Sequence, residues 1–131
     1  MSEQNVETLK GAYEAFNKGD IPAVLGVLDQ GVEWTEPGGG NAPSGTFNGP
    51  ESVGNDVFSK VPENFDEFEC NPEEYKDEGD KVLVTGQFKG KAKSGEELDA
   101  SFEHAWEFAD GKVVRLENKP DQEAWAKAWG G

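Results

Sequence analysis

The only histidine of the chain, His104, lies in the stretch SFEHAWEF, alternating with Phe102, Trp106 and Phe108. A strand sends successive side chains to opposite faces. The imidazole therefore falls on the aromatic side, with Glu103, Ala105 and Glu107 on the other. The same reasoning places Glu36 with Val32 and Trp34 in GVEWTEP, and Asn118 with Val114 and Leu116 in VVRLEN. Each of three strands thus carries one polar group on an apolar face. Burying a neutral group without a partner costs roughly 1–3 kcal/mol, and an ionised carboxylate more. Either the three satisfy one another, or they line a cavity that holds water or ligand.

The chemistry open to this set is general acid–base work. A carboxylate in an apolar pocket has a raised pKa and is a better base. An unperturbed imidazole titrates near ~6.5. An amide takes no proton at neutral pH but both donates and accepts hydrogen bonds. Glu36 or His104 would remove a proton next to a carbonyl, and Asn118 would bind the developing oxyanion. Trp34, Phe102, Trp106 and Leu116 would supply apolar area to a small apolar molecule bearing a polar group. Each residue also has an ordinary structural reading. His104 can be a satisfied core group, Asn118 can shape a strand end before Pro120, and Glu36 can turn outward before Pro37.

The elements that must position these groups are legible from periodicity. Residues 3–18 form an amphipathic helix with Val6, Leu9, Tyr13 and Phe16 on one stripe. Gly19 supplies a left-handed stop, and Asp20 caps a second helix carrying Ile21, Val24, Leu25 and Leu28. The strand GVEWTEP ends at Pro37, and PGGGNAPSG is a loop. GPESVGNDVFSKV reads as one helix, with Pro50 at its first position and Val53, Val57 and Val61 buried. From Phe65 onward the period is two, with turns around Gly79-Asp80, in GKAKSGEE and at ADGK. Asp121 caps a last helix in which Trp125 and Trp129 lie one turn apart. Helices followed by an antiparallel meander give an α+β fold, a curved, mostly antiparallel sheet forming a cone under the N-terminal helices, with a pocket inside.

Bulk properties narrow the function classes. The 131 residues fit one domain over 1–131 with a real core. There are 27 acidic and 12 basic residues, a net charge of −15. Such a surface repels phosphate backbones and anionic membranes, so neither nucleic acid nor membrane is an expected partner. The single cysteine, Cys70, excludes an internal disulfide and follows Phe68 at strand spacing as a small buried hydrophobe. No apolar run approaches the ~20 residues of a membrane span, and MSEQNVETLK lacks the regions of a signal peptide, so the cytoplasm is the expected location. One histidine and one cysteine at distant positions give no metal-ligand spacing. The GGG run follows Pro37 and opens no helix with a lysine, so no nucleotide or other cofactor is expected.

Three motifs in order, AYEAFNKGD, VEWTEPGG…SGTFNG and FEHAWEFADGKVVRLEN…D, resemble the SnoaL-like branch of the nuclear transport factor two-like superfamily. That superfamily includes ketosteroid isomerases, limonene epoxide hydrolases and scytalone dehydratases. The resemblance spans nearly the whole chain and implies the cone fold; one cone hosts many chemistries, and some members perform none. By resemblance, Glu36 stands where ketosteroid isomerases keep their carboxylate base. Tyr13 is offset by one from the helix position of their oxyanion tyrosine, occupied here by Ala12. It is expected to be a wall of the core and pocket rather than a donor. The isomerase aspartate falls near Glu103 or His104, and the His104 position matches a pocket histidine of cyclase-like members. Asn118 replaces the catalytic aspartate of the cyclases and epoxide hydrolases, so their acid–base step does not carry over at that residue. A homodimer through the outer sheet face is implied by resemblance alone. Three roles stay open: an isomerase, cyclase or hydrolase; a non-catalytic ligand-binding protein; and a dimeric interaction module.

Overall fold

The computed structural model describes residues 2–130. Two helices, α1 (Ser2–Asn17) and α2 (Ile21–Leu25), precede strand β1 (Leu28–Pro37). Strand β2 (Ser44–Asn48) follows, then α3 (Pro50–Val53), a π-turn over Gly54–Phe58 and α4 (Lys60–Asn64). Four long strands come next: β3 (Phe65–Glu78), β4 (Lys81–Ala92), β5 (Glu97–Ala109) and β6 (Lys112–Pro120). Helix α5 (Gln122–Trp129) closes the described chain. The strands form one curled sheet in the order β2-β1-β6-β5-β4-β3. All neighbours are antiparallel except β1 and β6, which pair in parallel. This is the α+β plan expected from the sequence.

The local signals act as their chemistry demands. Gly19 takes φ +79° after α1, and the Asp20 carboxylate accepts from Ala23 N at 3.3 Å. The Asp110-Gly111 turn has φ positive at both residues, the conformation that fits the twist of a two-residue hairpin. Asp121 caps α5 through Ala124 N at 3.4 Å.

Four expectations require correction. Leu28 does not belong to the second helix; it opens β1, because Gly26 and Val27 close a turn onto Pro22 and Val24. The third helix is not continuous. It widens into a π-turn at Gly54–Phe58, and Val61 lies only half-buried in α4. The loop PGGGNAPSG runs into the short strand β2 at Ser44, and the slight burial of that strand produces no alternation signal. Val114 does not alternate with Leu116. Glu107 pairs with Arg115 while Phe108 pairs with Val113, so Val114 is the extra residue of a bulge and Val113 takes the buried place.

Helix α1 is fastened to the edge strand by side-chain amides. Asn17 Nδ2 donates to Cys70 O and its Oδ1 accepts from Cys70 N, both at 2.9 Å. At the other end Asn5 donates to Gly79 O at 3.3 Å. The fastening satisfies part of the β3 edge and aims Leu9, Ala12 and Tyr13 into the sheet's concave face, where all three are buried. Among the described residues no helix is long and apolar enough to cross a membrane.

Candidate functional site

The concave face of the sheet encloses a cavity of about 80 Å³. That is room for several waters, at roughly 10–15 Å³ each. Its wall is rich in aromatic rings, among them Tyr13 and Phe16 from α1, Trp34 from β1, Phe58 from the π-turn, Trp106 from β5, and Trp125 and Trp129 from α5. Glu36, His104 and Asn118 also line it. Three strands therefore bring their single buried polar residue to one place. The pairing explains how: β5 sets His104 opposite Asn118, and the parallel β1–β6 ladder sets Trp34 opposite Leu116, two residues before Asn118. With the two-residue period, Glu36 then lies beside Asn118.

The polar groups form one continuous chain. Trp106 Nε1 donates to Tyr13 Oη at 3.0 Å, and Tyr13 Oη lies 2.6 Å from His104 Nδ1. His104 Nε2 lies 3.0 Å from Asn118 Oδ1. Asn118 Nδ2 donates to Glu36 Oε1 at 2.9 Å, and Trp34 Nε1 donates to Glu36 Oε2 at 2.6 Å.

With Glu36 ionised, donor and acceptor chemistry fixes the direction of every link. An ionised carboxylate only accepts, so Asn118 turns its amide NH₂ to Glu36 and its carbonyl to His104. A carbonyl only accepts, so His104 Nε2 carries the hydrogen. Neutral imidazole then has a bare Nδ1, which accepts from the Tyr13 hydroxyl, whose oxygen in turn accepts from Trp106. Donors thus run in one sense from Trp106 to the carboxylate, which receives a second from Trp34.

Burial sets the charge states. It lowers His104 to about 3, only partly offset by the bond to Asn118, so the imidazole is neutral across the physiological range. It raises Glu36 to about 7, against the lowering effect of its bonds to Asn118 and Trp34. Both partners of Glu36 are neutral donors. Burial likewise raises the Tyr13 hydroxyl and the Cys70 thiol well above their ordinary values, so both stay protonated.

Of the eight residues singled out in the sequence, Tyr13, Trp34, Glu36, His104, Trp106, Leu116 and Asn118 line the cavity. Phe102 does not. Its ring stacks on His104 at 4.1 Å between centroids and packs on Phe88 at 4.8 Å, so it backs the imidazole instead of facing the space. Tyr13 does more than wall the pocket, since its hydroxyl supplies the hydrogen that His104 Nδ1 accepts. Sequence reasoning missed the cavity roles of Phe58, Trp125 and Trp129. The one-turn spacing of the two tryptophans was the available signal, and it reads equally as plain core.

The GGG run explains how α5 is seated. A Cβ at Gly39 (φ +106°) would lie 2.6 Å from Gln122 Nε2 and 3.0 Å from Ala126 Cβ, so only glycine lets the loop press on α5. Gln122 Nε2 donates to Gly38 O at 3.0 Å, and Asn41 N donates to Gly130 O at 2.6 Å. The loop that follows Glu36 thereby locks the helix that carries Trp125 and Trp129. Among the described residues, no three His, Cys, Asp or Glu side chains group as a metal site.

The architecture has close relatives. An NTF2-like protein of unknown function from Burkholderia pseudomallei superposes with a TM-score of 0.88 at 28% identity, over 98% of both chains. TerC, co-crystallized with polyporic acid, matches with a TM-score of 0.85 at 26% identity, over 96% of this chain and 98% of its own. Bal32a, from a soil-derived mobile gene cassette, matches with a TM-score of 0.89 at 25% identity, over 98% of both chains. No functionally curated protein matches the sequence. The model of the SnoaL-like domain matches residues 9–116, from the buried Leu9 of α1 to Leu116 beside the carboxylate's partner. The chain belongs to the SnoaL-like family of the nuclear transport factor two-like superfamily.

Proposed function

We propose that the cavity receives a small, largely apolar carbonyl compound and that Glu36 removes a proton from the carbon next to its carbonyl. The observation that carries this reading is the state of Glu36: a buried carboxylate on an aromatic cavity wall, held by two neutral N–H donors and raised to about 7. A base is most effective when its pKa lies near the operating pH. His104 is the weaker candidate, because both of its nitrogens are engaged and burial holds it neutral down to about 3. It acts instead through Asn118, fixing the amide that holds the carboxylate.

In the proposed step the C–H electron pair becomes the new C=C bond, and the carbonyl π electrons move to oxygen, giving an enolate. The proton rests on Glu36 and can return to the same carbon or to another, which is an isomerisation. The co-crystallization of TerC with polyporic acid supports a chamber for an organic molecule.

Hydrogen exchange in D₂O tests this without knowledge of the natural substrate. Phenylacetone is a one-ring ketone with an acidified C–H. Wild type is expected to exchange that hydrogen above the buffer rate, and Glu36→Gln to lose ~10²–10⁴-fold of the enhancement while still binding the ketone. Binding with no exchange by wild type would overturn the catalytic reading and leave a binding protein.

A further inference from the structure

Two indole N–H groups stand outside the hydrogen-bonded chain. Trp125 and Trp129 are 3% and 4% exposed, and neither Nε1 has an acceptor among the described residues. Trp34 and Trp106, the other two tryptophans, both donate, to Glu36 and Tyr13 respectively. A buried donor without a partner costs about as much as a lost hydrogen bond, and native proteins rarely leave two together. Both indoles sit on the wall of the same cavity as Glu36. Their helix is not a fraying terminus, since the Asp121 cap and the Gly38–Asn41 loop fasten it at both ends.

We propose that Trp125 and Trp129 form a donor subsite that holds an uncharged oxygen of the ligand, a carbonyl or hydroxyl, while the ligand's hydrocarbon part fills the ring-lined space. The polar valences of the cavity favour such a molecule. Asn118 Oδ1, one of its N–H groups and both His104 nitrogens are already engaged, and of the buried side-chain polar atoms among the described residues only the α5 indole N–H groups have no partner at all, while Glu36 is the acceptor. A ligand with an oxygen at one place and an acidic hydrogen at another satisfies both. An anionic ligand does not, because it would meet a buried carboxylate inside a chain of net charge −15. The inference rests on the cavity being a small-molecule chamber, but not on catalysis there.

The test compares phenylacetone with 2-methyl-3-phenylpropene, in which a methylene replaces the carbonyl oxygen. Wild type is expected to bind the ketone on the order of tenfold more tightly, the worth of hydrogen bonds to otherwise unpaired donors. The Trp125 and Trp129 indole N–H resonances are expected to move downfield with the ketone alone. Trp125→Phe and Trp129→Phe keep a ring and remove the N–H; each is expected to reduce the preference. Phenylacetate is expected to bind more weakly than the ketone. Equal affinity for ketone and hydrocarbon, or unmoved indole resonances in wild type, would overturn the donor subsite while leaving the chamber intact. Failure to bind either probe would overturn both. The wild-type resonances decide the matter even where a tryptophan variant fails to fold.

Discussion

Asn118 Nδ2 donates to Glu36 Oε1 at 2.9 Å across 82 residues of sequence. Among the described residues, the amide is the one hydrogen-bonded link between the carboxylate and the imidazole. Asn118→Asp replaces a donor with a second carboxyl group against the first, and two carboxylates in contact titrate as a pair sharing one proton. The variant is expected to be near wild-type stability at pH 5 and destabilised at pH 9 by on the order of 3 kcal/mol, where both groups must ionise. Urea unfolding at the two pH values checks this.

Glu36 and His104 pull stability in opposite directions as the pH changes. Glu36 is raised from 4.5 to about 7, so between those values the folded chain keeps a proton that the unfolded chain has lost. Stability from this group therefore falls as pH rises through that window, by about 3 kcal/mol. His104 is lowered from 6.5 to about 3, so the unfolded chain holds the extra proton and stability falls as pH drops from 6.5 towards 3. The slopes oppose each other between pH 4.5 and 6.5. Relative to wild type, Glu36→Gln is expected to gain stability steadily from pH 4.5 to 7. A parallel curve, offset but without slope, would show that Glu36 is not raised.

The single histidine makes its tautomer directly measurable. At pH 9, where Glu36 is ionised, nitrogen-15 spectra are expected to show a pyrrole-type Nε2 and a pyridine-type Nδ1. Tyr13→Phe removes the donor to Nδ1 and the acceptor of Trp106 at once. It is expected to cost roughly 1–3 kcal/mol and to shift the Nδ1 resonance. The opposite tautomer in wild type would reverse the direction assigned to the whole chain.

If Glu36 is the base, the proton-exchange rate should rise with pH through about 7 and then level, following its ionisation. No second limb from His104 is expected between pH 5 and 8. A rate that tracks an imidazole near its ordinary value would transfer the base role to His104.

Gly86 lies opposite Phe102 in the β4–β5 ladder. A Cβ there would press on Asn71 O and come within 2.8 Å of Phe102 Cζ, the ring that backs His104. Gly86→Ala is expected to destabilise by roughly 1–3 kcal/mol through overpacking. It should also disturb the His104 resonances, whereas Gly11→Ala, exposed on α1 where a Cβ meets nothing within 4 Å, should not.

How much of this was legible beforehand differs by element. The alternation in β1, β5 and the end of β6 placed Glu36, His104 and Asn118 on inner faces because strand geometry leaves a side chain only two directions. The inference broke at Val114, where one extra residue in the hairpin reversed the faces, and bulges leave no mark in a hydrophobic pattern. The Asp20 and Asp121 caps were readable because capping is local. Phe102 shares a face with Trp106 by alternation, yet its ring lies between His104 and Phe88 and does not line the cavity. The role of the Tyr13 hydroxyl depends on a contact across 91 residues. Similarly, the idle indoles of α5 are visible only once every acceptor has been located.

The β1–β6 pairing is the sheet's one parallel ladder, and it joins the first strand to the last. A growing polypeptide therefore makes Glu36 long before it makes the amide that will hold it. Until the final strand emerges from the ribosome, the carboxylate has no reason to leave water. Any product cut short ahead of residue 112 would lack the strand that joins β2-β1 to β5-β4-β3, leaving two separate pieces and nowhere to put a guest.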